Sequence, residues 1–336
     1  MNPGRRIARI QTIDGLVTPA FIHNGSFFFD NLQVYADGLV NCWELLDLTL
    51  FEEKLESGWV TTSVPDGEGL HVHGLGAWTI DAGLWALTSE TLLARVRELV
   101  RELNPRMENL HDCHGRTVEK IGKVNVMILG SPKEQPVRLS KPGPFGKRIN
   151  GESISVLARV DDALFLADLR AFADGVIELG RLPSPEILDL AGLHAAVAQG
   201  RVCSAAPPGT RITIHELGSF AVREQQWSTA IDDIVRSVPD LIEEANGRPD
   251  SVKRCRAAYA AYLAAPTETT REALRVAYEA VPSHNRMYVG DMDTKDIPVR
   301  MVLYGEQEIE GWTHRLVARA MDQPLPTITV PKPRKE

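Results

Sequence analysis

From Phe27 to Val40 the chain reads FFFDNLQVYADGLV: apolar residues at alternate positions in the middle (Leu32, Val34), then an aromatic, Ala-Asp-Gly and two aliphatics. A close copy, LFLADLRAFADGVI, returns at Leu164 to Ile177, with Leu169 and Ala171 in the alternating places. A period of two predicts strands. Asp37-Gly38 and Asp174-Gly175 suit the positive φ of a tight hairpin, so each copy is expected to run strand, turn, strand, with further turns at Asn24-Gly25 and Asp161-Asp162.

The offset of 137 residues between the copies becomes 142 after a short insertion in the second. It then holds for Leu46-Asp47-Leu48 against Leu188-Asp189-Leu190, Gly58 against Gly200, His73 against His215, Trp85 against Trp227, Asn104 against Asn246 and Cys113 against Cys255. A whole domain is therefore duplicated. A fainter echo pairs Met127 to Arg138 with Met287 to Arg300. Positions alike in both copies are first of all those the shared backbone demands, so chemistry is better sought where the copies differ.

Other elements follow from local signals. Strands are expected at Arg6 to Thr12, with Asp14-Gly15 as a turn, and at Trp59 to Val64, Leu70 to Gly74 and Ala77 to Ile80. A short helix is expected at Leu48 to Ser57, its counterpart at Ala191 to Gln199, with Gly58 and Gly200 as their C-terminal stops. Thr88 or Ser89 should cap a long helix with the stripe Leu92, Val96, Leu99, Val100 and Leu103, repeated around Ile234, Val238, Leu241 and Ile242, where Pro239 is expected to kink or split it.

Between Cys255 and Met287 the second copy gains a helical hairpin, Ser251 to Ala264 and Thr267 to Ala280, and a further helix is expected at Glu306 to Met321. The fold class read from this pattern is α+β. It comprises a tandem duplication of a small, strongly bent antiparallel sheet or SH3-like barrel packed with an amphipathic helix, plus a helical insertion at 251–281. The expected units are 1–146, each burying its own core, 147–305, and 306–336 as a C-terminal helix with a loosely ordered tail.

Composition refines this only slightly. With 336 residues, 43% hydrophobic and 24% charged, the chain is an ordinary folding sequence of about two domains. No secretory leader or membrane-length apolar run is apparent. The four cysteines (Cys42, Cys113, Cys203, Cys255) have no CxxC spacing, so a reduced, cytoplasmic protein is expected. The net charge of −8 disfavours nucleic acid and anionic membranes, yet between Arg101 and Asn150 ten basic residues face five acidic ones.

Candidate chemistry is sparse. His111-Asp112-Cys113-His114 is the densest metal-capable group, and the second copy has Lys253-Arg254-Cys255-Arg256 there. The spacing matches no familiar zinc pattern and would need His71, His73 or Cys42 to complete four ligands. His71-Val72-His73 places two imidazoles on one strand face, and only His73 recurs, as His215. Asp291, Asp293 and Asp296 lack the glycine and the terminal glutamate of an EF-hand and read as a polar turn. No Walker loop, GxSxG or GxGxxG occurs, and the prolines of Lys141 to Arg148 spoil a phosphate cradle.

The resulting expectation is a non-enzymatic binding or adaptor protein, without cofactor, that engages a protein or peptide partner through the surface near Trp59, His71, His73 and Trp78. In the second copy Arg201 stands for Trp59 and Phe220 for Trp78. One alternative is a metal-dependent hydrolase built on His111, Cys113 and His114. Another is a nucleic-acid binder acting through Arg106, Arg116, Lys120, Lys123, Lys147 and Arg148.

Overall fold

The computed structural model describes residues 12–112, 118–121, 124–127, 135–141 and 146–334. The first copy comprises β1 (Gly15–His23), β2 (Phe27–Tyr35), β3 (Val40–Asn41), β4 (Leu45–Leu46), α1 (Leu48–Glu56), β5 (Val60–Thr61), β6 (Gly69–Val72), β7 (Gly76–Trp85) and α2 (Ser89–Leu103). Strands β8 (Val118–Ile121), β9 (Val124–Met127) and β10 (Val137–Leu139) connect it to the second. The same order then returns as β11 (Arg148–Val160), β12 (Ala163–Phe172), β13 (Ile177–Gly180), β14 (Glu186–Leu188), α3 (Leu190–Ala198), β15 (Val202–Cys203), β16 (Arg211–Ile214), β17 (Gly218–Ser228) and α4 (Ile231–Ala245).

The repeat extends to single bonds. Gly38 and Gly175 both have φ near +85°, and each donates its N–H to the aromatic residue three positions earlier, Tyr35 or Phe172. Asp47 and Asp189 cap α1 and α3 by accepting from Leu50 and Gly192. Asn104 and Asn246, at the ends of α2 and α4, donate their side-chain amides to Ala36 O and Ala173 O beside the hairpin turns. Thr88 caps α2 in a capping box, whereas Ala230 holds the equivalent place before α4 and supplies no side-chain cap. Pro239 lies within α4, which continues as one helix.

Several strand limits differ from expectation. Gly15 is not a turn residue: it belongs to β1 and packs under the Tyr35 ring, as Gly151 packs under Phe172. The expected Arg6 to Thr12 strand lies almost wholly outside the described residues. Strand β7 runs on to Trp85, because its extension finds a partner in the other copy.

That partner is β17, which pairs antiparallel with β7, Ile80 lying opposite Val222. The fold is therefore a mixed α+β duplication built on one 15-stranded sheet, with the path β10-β11-β12-β16-β17-β7-β6-β2-β1-β5. The copies share one core, and the first copy buries a second cluster of its own beneath its helices. One cluster joins Phe21, Phe29, Leu70, Trp78 and Ile80 to Leu157, Leu166, Ile212, Phe220 and Val222, and it runs on to Leu193 of α3 and to Ile234 and Val238 of α4, because the apolar faces of the two half-sheets are removed from water together. The outer faces carry the helices. In the first copy Ala20, Ile22, Leu32 and Val34 pack under Phe51 and Leu55 of α1 and Leu92 and Val96 of α2.

The chain ends in a helical module: α5 (Ser251–Ala264), α6 (Glu268–Glu279), a 3-10 turn at Ser283–Tyr288, α7 (Ile297–Tyr304), a second 3-10 turn at Glu306–Gly311 and α8 (Thr313–Ala320). The echo of Met127 to Arg138 in Met287 to Arg300 is not structural. Val137 lies in a strand, whereas Val299 lies in α7 with its side chain in a helical core. The C-terminal tail lies across this module: Tyr262 Oη donates to Pro331 O at 2.6 Å, and Arg334 N donates to Pro266 O at 2.7 Å.

Candidate interaction face

Strand β2 alternates about the sheet plane. Phe27 and Phe29 enter the shared core, while Phe28, Asp30 and Leu32 face the first copy's own outer side. Phe28 anchors a row of rings there. His71 stacks on it at a centroid distance of 5.1 Å, Trp43 meets it edge-on at 5.1 Å, and Trp59 meets Trp43 edge-on at 6.3 Å. Lys54 Nζ closes the row 4.3 Å from the Trp59 ring centroid and forms an ion pair with Glu44 at 3.2 Å.

Trp43 occupies the loop between β3 and β4 with φ +69°, a left-handed conformation costly for a bulky residue, and the residue is 46% exposed. Trp59 and His71 are half-buried.

Asp30 and Cys42 lie close to the row. Burial pushes the Asp30 carboxyl up to about 6, opposed by a hydrogen bond from Asn31 N–H and by the positive charge of Arg181. Burial and the Asp30 carboxyl push the Cys42 thiol up to about 12, which keeps it protonated.

The second copy lacks the row. By the 142-residue offset Arg201 replaces Trp59, Thr213 replaces His71 and Ala196 replaces Lys54, and the loop carrying Trp43 becomes Arg181 to Pro185. Phe28 recurs as Phe165, so the shared backbone leaves Trp43, Trp59 and His71, but not Phe28, as the rings it does not require.

Of the four residues expected at the surface, the structure brings Trp59 and His71 into one face. His73 lies beyond the end of β6 in an exposed turn, not on the strand face of His71. Its counterpart His215 occupies the equivalent turn after β16. Trp78 is corrected outright. It is 0% exposed and packs 6.5 Å from Phe220, since β7 lies in the middle of the sheet and its start, Gly76 to Trp78, is buried on both faces. Sequence reasoning missed Trp43, Phe28 and Lys54. The signal for Trp43 was the insertion that removes its counterpart.

Of the metal alternative, His111 is described: its Nε2 lies 3.6 Å from Asp37 Oδ2, and its N–H donates to Asp37 O. Cys113 and His114 lie outside the described residues. Among the described residues no group of three or more His, Cys, Asp or Glu side chains is placed to hold a metal ion. Asp291 instead accepts from the N–H groups of Asp293 and Thr294 and from the Thr294 hydroxyl, as a turn residue.

In the basic stretch Arg116 and Lys123 lie outside the described residues, as does the side chain of Lys120. Arg148 pairs with Asp14 at 2.7 Å and Arg138 with Asp174. Arg106 lies in the turn after α2, and Lys147 N–H donates to Ser140 Oγ. Among the described residues no helix is long and apolar enough to cross a membrane.

The chain belongs to the family described as a domain of unknown function (DUF7638), whose model matches it at residues 4–107 and again at 141–249, the two copies of the duplication. A second model, also described as a domain of unknown function (DUF7639), matches residues 250–325, the helical module. No curated protein and no solved structure matches the chain.

Proposed function

We propose that this is a non-enzymatic binding or adaptor protein that engages a protein or peptide partner through the first-copy aromatic row. The observation that carries this reading is Trp43, held on a left-handed backbone with nearly half its surface in solvent, at a place where the second copy has no counterpart. Exposed tryptophan flanked by a second tryptophan, a phenylalanine and a mixed charge pair is the composition of an interface anchor with a polar rim. The strongly bent half-sheet, read as an SH3-like unit, presents the row beside the short edge strand β5. The cytoplasm is the compartment this reading assigns, in keeping with three free cysteines among the described residues.

The test is affinity capture with the full chain and with a Trp43→Ala/Trp59→Ala double variant of matched thermal stability. Partners captured by the wild type and lost by the variant support the reading. An unchanged set of partners at unchanged stability removes it.

A further inference from the structure

The helical module holds an open cavity of about 470 Å³, far along the chain from the aromatic row. Its walls are Tyr278 of α6, Ser283, Arg286 and Met287 of the first 3-10 turn, Asp296 at the start of α7, Arg300 and Tyr304 of α7, and Glu308. Most of the charge there is already matched. Tyr278 Oη donates to Asp296 Oδ2 at 2.5 Å, and Arg300 Nη2 pairs with Glu308 Oε2. Burial and the bond to Asp296 hold the Tyr278 phenol above its ordinary range, so it remains a donor.

Arg286 differs. Its Nε donates to Val281 O at 3.2 Å and its guanidinium lies 4.9 Å from the Tyr278 ring centroid, which fixes the plane of the fork. Its two terminal nitrogens make no hydrogen bond to another described residue. The Ser283 and Tyr304 hydroxyls also line the cavity without such a bond, and Met287 and Tyr304 leave over two fifths of their surface open beside them. The cavity thus offers one uncommitted planar cation, two hydroxyls and an apolar wall of two tyrosine rings and a thioether.

We propose that this cavity binds a small monocarboxylate with an aromatic or apolar body. The carboxylate pairs with the Arg286 fork, within reach of the two hydroxyls, and the body lies against Met287, Tyr278 and Tyr304. The charge state follows from the walls. Glu308 is taken by Arg300 and Asp296 by the Tyr278 hydroxyl, which leaves Arg286 as the cation that a single negative charge can pair with, whereas the second charge of a phosphate dianion meets those two carboxylates.

Sodium benzoate is the probe, titrated into the full chain labelled with methyl-¹³C methionine, with benzamide and inorganic phosphate in parallel. The expected result is a saturable shift of the Met287 methyl signal with a Kd on the order of 1 mM, the scale of one charge-assisted pair and one covered ring. Benzamide and phosphate should bind at least about tenfold more weakly, and Arg286→Gln should cost benzoate a similar factor. Absence of a saturable Met287 shift, benzamide or phosphate binding as tightly as benzoate, or undiminished benzoate affinity in Arg286→Gln would each overturn the proposal. Should that variant not fold, the benzoate-to-benzamide ratio in the native chain decides alone. Because Met287 and the aromatic row lie in different units, a failure here leaves the partner reading untouched.

Discussion

Asn31 and Asp168, the same position in the two copies, are bonded to each other: Asn31 Nδ2 donates to Asp168 Oδ1 at 3.2 Å across the shared core. The antiparallel Ile80–Val222 pair of β7 and β17 also brings equivalent residues together, so the two copies are related by an approximate twofold there. Around Asp168 the second copy adds Arg181, buried and paired with the carboxylate, and Arg170, which also reaches Glu178 at 2.9 Å. Asp168→Ala would strand buried Arg181 and is expected to lower stability by about 3–5 kcal/mol, whereas Asn31→Ala should cost about 1 kcal/mol. Urea denaturation of the two variants measures both, and equal costs would contradict this account.

Asp30 makes stability fall as pH rises. Its folded value of about 6 lies above the unfolded value of 3.8, so the folded protein holds a proton that the unfolded chain has released. The contribution is fully present below about pH 4 and lost as pH climbs through about 6, a change of up to about 3 kcal/mol at 1.36 kcal/mol per unit. Asp30→Asn should therefore raise the urea midpoint relative to wild type at pH 8 and not at pH 4. An equal effect at both would show that the carboxyl does not titrate in this way.

Gly76 and Gly218 are equivalent residues at the two ends of the β7–β17 seam. A Cβ at Gly76 would come within 2.7 Å of Trp227 O, and one at Gly218, where φ is +149°, would strike Leu84 O. Each carbonyl belongs to the other copy. Gly76→Ala and Gly218→Ala are each expected to cost about 1–3 kcal/mol, with Gly218 the worse because strain adds to the clash. Gly311→Ala, which meets open space, is the control, and thermal melts of the three variants compare them.

The tryptophans separate into two kinds. Trp78→Ala empties a core position and should cost about 3–5 kcal/mol. Trp43→Gly removes an exposed ring while relieving a left-handed backbone, so its net cost should stay within about 1 kcal/mol. Chemical denaturation of both variants tests the contrast, and a Trp43 variant as unstable as the Trp78 variant would show that the row is structural.

The duplication was legible because its signals are local: the Asp-Gly turns, the aspartate caps and the glycine stops each act within four residues and recur at a fixed offset. The seam was not legible, since nothing within Ala77 to Trp85 says which strand will pair with it. Trp78 was misplaced for a related reason. Ala77, Trp78 and Ile80 are all buried, and a strand covered on both faces loses the alternation that marks a surface. The likeness of Met287 to Arg300 to a strand segment failed because composition without period does not choose between α7 and β10. Trp59 and His71 could be picked out by the failure of the second copy to repeat them, but their partner Trp43 becomes visible only once the β3–β4 loop brings it between Phe28 and Trp59.

The antiparallel joint of β7 with β17 brings equivalent strands together about Ile80 and Val222, the arrangement of an approximate twofold contact made within one molecule. The first copy expressed alone should recover it by associating with itself, at the mercy of dilution. Joining two such pieces end to end removes that dependence and, with it, the obligation to stay identical. One half is then free to keep a costly tryptophan loop, while the other gives up a helix cap and acquires an additional helical module.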